Sequence, residues 1–138
     1  MLHRNLRKLL LVLITVISAV KSNAQEATTP KIVFEETVFD FDTLIQNGDG
    51  THNFWFTNQG NAPLNITSAF TSCGCIVPSW PKEPVMPKQK GCIEVKYNTS
   101  IVGHFQKAII VKSNDPNNPK AVIRMSGTVI EPPKEKQK

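Results

Sequence analysis

The sequence predicts an all-β fold: an immunoglobulin-like antiparallel β-sandwich of about seven strands. Three observations predict it. Apolar and polar residues alternate at period two in one short run after another, the pattern of strands with one buried face. Clusters of Asn, Gly, Asp and Pro separate these runs at roughly 8–12-residue spacing. No segment keeps a helical period over the length that a helix needs. At this length such a series suits the immunoglobulin-like sandwich best.

Lys31–Phe34 and Thr37–Phe41 are the first β-type runs. Asn47-Gly48-Asp49-Gly50 is a turn. It lacks the acidic ligands at fixed offsets that a calcium loop requires. His52–Thr57 is an aromatic-rich run, and Gln59–Pro63 is the next turn. Leu64, Ile66 and Ser68 then alternate with Asn65, Thr67 and Ala69. After Thr71-Ser72-Cys73-Gly74-Cys75-Ile76 comes a long Pro-rich connection, Ser79–Gly91. Ile93, Val95 and Tyr97 alternate with Cys92, Glu94 and Lys96. Phe105–Val111 is another strand, and Asn114–Pro119 is a turn with two prolines. Ala121, Ile123, Met125 and Val129 alternate with Val122, Arg124, Ser126 and Thr128. This alternation assigns Phe54, Phe56, Leu64, Ile66, Ile93, Val95, Tyr97, Ile123 and Met125 to the core.

The ends of the chain read differently. Arg4, Arg7 and Lys8 precede an apolar run of twelve residues, Leu9 to Val20, and then Ser22-Asn23-Ala24. A basic head, a short apolar stretch and small residues before a cut form a secretory signal peptide, residues 1–24. The run is shorter than the roughly 20 residues that cross a bilayer. The expectation is therefore an exported protein, periplasmic or secreted, without stable membrane insertion after cleavage. An uncleaved N-terminal anchor is the alternative. Residues 25–30 are a polar lead-in, 31–131 the domain and 132–138 a charged C-terminal tail. Of the 16 Lys+Arg, four leave with the signal, so 12 face 11 Asp+Glu in the remaining 114 residues. A balance so close to neutral offers no clustered basic face for nucleic acid.

The three cysteines carry the chemical question. Residues two apart in an extended strand lie about 6.6 Å apart at Cα, whereas a bridge wants Cβ atoms near about 3.8 Å. Cys73 and Cys75 therefore bridge only if Gly74 supplies a tight turn, which is the redox reading. A bridge from Cys92 to either of them would instead tie the Pro-rich connection to the sheet. Two parallel thiols suit a soft ion such as copper(I). Zinc would want four ligands at wider spacing, and neither His52 nor His104 is near in sequence. The plainest reading packs both cysteines as small hydrophobes, with Gly74 admitting a neighbouring backbone. Trp55, on the face opposite Phe54 and Phe56, is a candidate surface contact, and so is Trp80 between Ser79 and Pro81. No nucleophile motif surrounds any Ser, and the carboxylates stand singly, so no enzyme is expected.

Several segments also stand in a familiar order: Phe39-Asp-Phe41-Asp-Thr-Leu-Ile45, Phe56-Thr-Asn58-Gln-Gly60-Asn-Ala-Pro-Leu64, Ser72-Cys-Gly-Cys75, Tyr97-Asn98, Gly103-His-Phe105 and Ser126-Gly127. Together they resemble the DUF1573 family, exported bacterial domains of unknown function similar to the immunoglobulin-like modules of the ASH and major-sperm-protein type. The resemblance covers Phe34 to Val129. It implies the sandwich and implies no reaction. Cys92 departs from the family pattern, which has a polar residue there.

The functional expectation is a non-enzymatic module of the cell envelope that binds an envelope protein or glycan through sheet edges or loops. The alternative is a thiol-based function at Cys73 and Cys75, either copper(I) binding or disulfide exchange. No other cofactor is expected.

Overall fold

The computed structural model describes residues 26–134. The expected signal peptide and the last four residues of the expected tail lie outside the described residues. Eight strands form: β1 (Ile32–Phe34), β2 (Val38–Ile45), β3 (Thr51–Asn58), β4 (Ile66–Phe70), β5 (Ile76–Ser79), β6 (Lys90–Tyr97), β7 (Gly103–Ser113) and β8 (Lys120–Ile130). They make two four-stranded sheets, ordered β1-β3-β6-β5 and β2-β8-β7-β4. This is the sandwich arrangement, with the two inner faces closing on one core.

Two details differ from the sequence expectation. The eighth strand is β5, at the start of what reads as a Pro-rich connection. It is short and carries Pro78, which confines it to the edge of its sheet. The sandwich is also not wholly antiparallel, because β2 pairs with β8 in parallel. The chain crosses from one sheet to the other between Phe34 and Val38. β2 thus lies beside the last strand rather than against a hairpin partner.

All nine residues assigned to the core by alternation are buried, as are Phe105, Ile109, Val111 and Val129. Their sequence spacing fixes one inner face per strand, since a slip of one residue would turn the whole apolar set outward.

At one end of the sandwich the core includes polar groups, and each is paired. Asn58 is fully buried at the end of β3. Its Oδ1 accepts from the N–H groups of Lys31 and Gly60, and its Nδ2 donates to the carbonyls of Ala62 and Val85. One side chain thus joins the entry to β1, the turn after β3 and the return segment before β6. Gly60 sits so close to the lead-in that a Cβ there would come within 2.2 Å of the Thr29 carbonyl oxygen. Asp115, also buried, accepts from Ile32 N–H at 2.9 Å and from the N–H groups of Asn117 and Asn118. It ties the β7–β8 turn to β1.

Candidate functional site: a disulfide corner and an open strand edge

The opposite end holds Cys73 and Cys75. β4 ends at Phe70 in one sheet and β5 begins at Ile76 in the other, so residues 71–75 cross between sheets. Within this crossing Cys73 and Cys75 are joined by a disulfide, their Cα atoms 5.3 Å apart. The chain is bent at Gly74, as a bridge across one residue demands. Gly74 itself has no steric reason to be glycine. It does not have a left-handed φ, and a Cβ built on it meets nothing within 4 Å. The expectation that a neighbouring backbone packs against Gly74 is therefore wrong; the residue faces open space.

The corner is held from both sides. Ile76 is buried, and the Cys75 carbonyl accepts from Asn98 N–H at 2.8 Å. The Thr71 hydroxyl lies 3.9 Å from Cys73 Sγ. Beside the bridge is a hollow of about 260 Å³, lined by Gly74, Cys75, Val77, Lys96, Tyr97 and Asn98. Its floor is firm: Tyr97 stacks on Phe105 with ring centroids 3.7 Å apart, and burial raises the pKa of its phenol. Closing so short a loop restricts the unfolded chain little, about 1.6 kcal/mol in the chain-entropy model against about 3 kcal/mol for a 15-residue loop.

Cys92 is free. It stands on the outer face of β6 opposite Trp55, and the strand register puts it five residues from Tyr97, the partner of Ile76. That is about 17 Å from the corner at strand rise, so a bridge from Cys92 to Cys73 or Cys75 does not form. Burial, and secondarily the charge of Glu94, raise the pKa of its thiol. Both disfavour the thiolate, the reactive form of a cysteine. Bridged sulfurs are not thiolate ligands, so copper(I) binding would belong to the reduced pair. Among the described residues no third His, Cys, Asp or Glu joins them.

The histidines are elsewhere. His52 stacks on Phe39 at 3.5 Å and meets the Glu36 carboxylate at 2.7 Å, and His104 is exposed on β7. Trp55 is 45% exposed on the outer face of its sheet. Trp80 packs partly against the core, with the Lys82 ammonium 3.4 Å above its ring.

Near the disulfide end, a feature of β7 escapes strand-by-strand reading. β7 has eleven residues, but β4 covers only Ile110–Ser113. Among the described residues, Gly103–Ile109 has a partner on the β8 side alone. The hydrogen bonds define which groups are open. Arg124 N–H donates to the Thr37 carbonyl and Gln46 N–H to the Ile130 carbonyl, so even-numbered residues of β8 face β2. The odd-numbered ones face β7, opposite Gly103, Phe105, Lys107 and Ile109. His104, Gln106 and Ala108 consequently turn their amides and carbonyls away from β8 into the open edge. The mismatch between an eleven-residue strand and its five-residue neighbour is the signal that identifies it. At the start of this edge Ile101 and Val102 stand just before Gly103, each two-fifths exposed or more; Ile45 and Ile130, similarly exposed and opposite each other in register, lie on the β2–β8 side.

Comparison with known proteins follows the same lines. No curated protein matches the chain. The fold resembles a protein of unknown function from Porphyromonas gingivalis W83, with TM-score 0.67 and 16% identity, covering 78% of this chain and 51% of that one. It also resembles the ASH/PapD-like domain 7 of human CEP192, with TM-score 0.59 and 11% identity over 80% of this chain and 93% of that one. A third likeness is to the periplasmic chaperone SfaE, with TM-score 0.51 and 10% identity over 75% and 59%. The chain thus spans about half the length of the Porphyromonas protein, and at these identities the shared feature is the sandwich. The model of the family described as "Protein of unknown function (DUF1573)" matches residues 32–129, nearly the whole described sandwich, and the chain belongs to that family.

Proposed function

We propose that this domain is a non-enzymatic interaction module of the cell envelope that binds an extended segment of a partner protein along the open edge of β7. The observation that carries the reading is the unpaired stretch Gly103–Ile109. An open strand edge presents a row of amides and carbonyls that an added strand can satisfy. The edges formed by β1, β5 and β2 are blunted. β1 has three residues, β5 carries Pro78, and β2 is interrupted by a bulge at Asp40/Thr43, where Asp42 has a φ of 57°. Exposed Ile101 and Val102 at the head of the β7 edge add apolar area for a partner's side chains. A likeness to PapD-like and chaperone sandwiches is consistent with an interaction module. Export, periplasmic or secreted, belongs to the same reading and rests on the N-terminal sequence.

Gln106→Pro and Ala108→Pro test it. Each removes one outward amide and leaves the β7–β8 ladder donors in place. Cross-linked partner capture from an envelope extract should fall at least about tenfold in both variants, the weight of one or two backbone hydrogen bonds at an interface, while the melting transition is retained. Undiminished capture by two folded proline variants would reject the edge as the binding site.

A further inference from the structure

We infer that the Cys73–Cys75 disulfide is a thiol–disulfide exchange site for protein dithiols, with Cys75 as the sulfur attacked and Cys73 as the leaving sulfur. The inference is independent of strand addition at β7. Its first support is exposure. The bridge lies in the crossing between sheets, Gly74 is exposed, and a Cβ on it would meet no atom within 4 Å. Cys73 and Cys75 are half-buried, packed against the core on one side, and the glycine between them adds no side chain on the other.

The second support is asymmetry. Cys75, but not Cys73, lines the hollow of about 260 Å³ that opens between β5 and the end of β6. Cys75 is therefore the cysteine that a thiol entering there reaches first. Lys96 lines the same hollow, and its ammonium favours the approach of an anionic thiolate. On the far side of the bridge, Cys73 Sγ has the Thr71 hydroxyl 3.9 Å away. A bridged sulfur has no hydrogen, so the hydroxyl is the only donor of that pair. It is placed to donate to the thiolate that forms when Cys73 leaves, and a better-stabilised leaving thiolate speeds exchange.

The third support is rigidity around a small reactive unit. Ile76 is buried, and the Asn98 N–H holds the Cys75 carbonyl, so the attacked residue keeps its place when the bridge opens. Cys92 is too distant in the register to intercept either sulfur.

The step balances without a further reagent. A partner thiol gives its proton to water, and the thiolate attacks Cys75 Sγ. The Cys73–Cys75 bond breaks as the mixed disulfide forms, and the electron pair leaves on Cys73 Sγ, which then takes a proton from water. A second thiolate of the partner attacks the partner sulfur of the mixed disulfide and releases Cys75. The partner dithiol has lost two electrons and become a disulfide, and Cys73 and Cys75 have gained them as two thiols.

Glutathione is the probe. In the full protein purified without reductant, reduced glutathione at millimolar concentration should open the bridge while the sandwich stays folded, as judged by circular dichroism and by mass spectrometry after alkylation. A bridge that opens only in denaturant overturns the proposal. The direction of attack is read from two single variants mixed with oxidised glutathione. The Cys75 thiol of Cys73→Ser should form the mixed disulfide about tenfold faster than the Cys73 thiol of Cys75→Ser, as access dictates. Equal rates, or the reverse order, overturn the assignment of Cys75. Thr71→Val should slow opening several-fold with an unchanged melting temperature, and an unchanged rate removes Thr71 from the step.

Discussion

The two ends of this sandwich are fastened by opposite means. At one end Asn58 and Asp115 sit in the core and accept or donate seven hydrogen bonds between them, all to backbone groups, three of which (Lys31, Val85 and Ile32) are distant in sequence. At the other a covalent bond joins residues only two apart in sequence. The non-covalent end holds more of the fold. Removing a buried amide with four partners takes a hydrogen bond from each of them, and a buried group left unpaired costs about 1–3 kcal/mol. The disulfide closes a loop so short that its removal frees little unfolded-state entropy. Strong bonds therefore do not mark the structural end here. The hydrogen-bonded end builds the domain, and the disulfide end, with its hollow and open strand, is the end at which we propose a partner is met.

Asn58→Ala is the sharpest way to break this comparison. It should lower stability by about 3–5 kcal/mol, because the Lys31 and Gly60 N–H groups and the Ala62 carbonyl lose this partner and the Val85 carbonyl keeps only Leu64 N–H. Urea unfolding followed by tryptophan fluorescence measures it. Asp115→Ala should follow at about 2–3 kcal/mol, less because the Asn117 and Asn118 amides are nearer to water. If both cost under about 1 kcal/mol, this end does not hold the fold together.

Much of this was legible in the sequence, and the limit has a physical cause. Period-two alternation located Phe54 and Phe56 on β3, Ile93, Val95 and Tyr97 on β6, and Ile123 and Met125 on β8, because a strand with one buried face writes that pattern locally. β5 was missed because four residues with a proline carry almost no period. The parallel pairing of β2 has no local signature at all; it follows from which sheet the chain enters after β1. Asn58 reads as the last residue before a turn. Its partners come from residues 31, 60, 62 and 85, so its role exists only once distant segments meet. The open edge of β7 was hidden for a similar reason, since an unpaired strand is defined by where its neighbour stops.

At the disulfide end the expected effects are smaller. Replacing both Cys73 and Cys75 with Ser should cost no more than about 1.6 kcal/mol, the chain-entropy value of the short loop. The comparison with Asn58→Ala is direct, since both variants unfold under one probe. If the double serine variant proves the less stable of the two, the bridge is a principal support of the sandwich, and the assignment of structure to one end and contact to the other is reversed.

The smallest effect is the most discriminating. Gly74→Ala adds a methyl group where nothing lies within 4 Å, at a φ outside the left-handed region. Alanine there also restricts the unfolded chain more than glycine, which stabilises a protein by about 0.4–1 kcal/mol when the native conformation suits it. Stability should therefore stay level or rise slightly, read as the midpoint of thermal unfolding. A loss beyond about 1 kcal/mol would mean that the bend between Cys73 and Cys75 requires glycine after all. An unharmed fold would leave the glycine without a structural purpose, and the reason for it would then lie in what approaches the bridge from that open side.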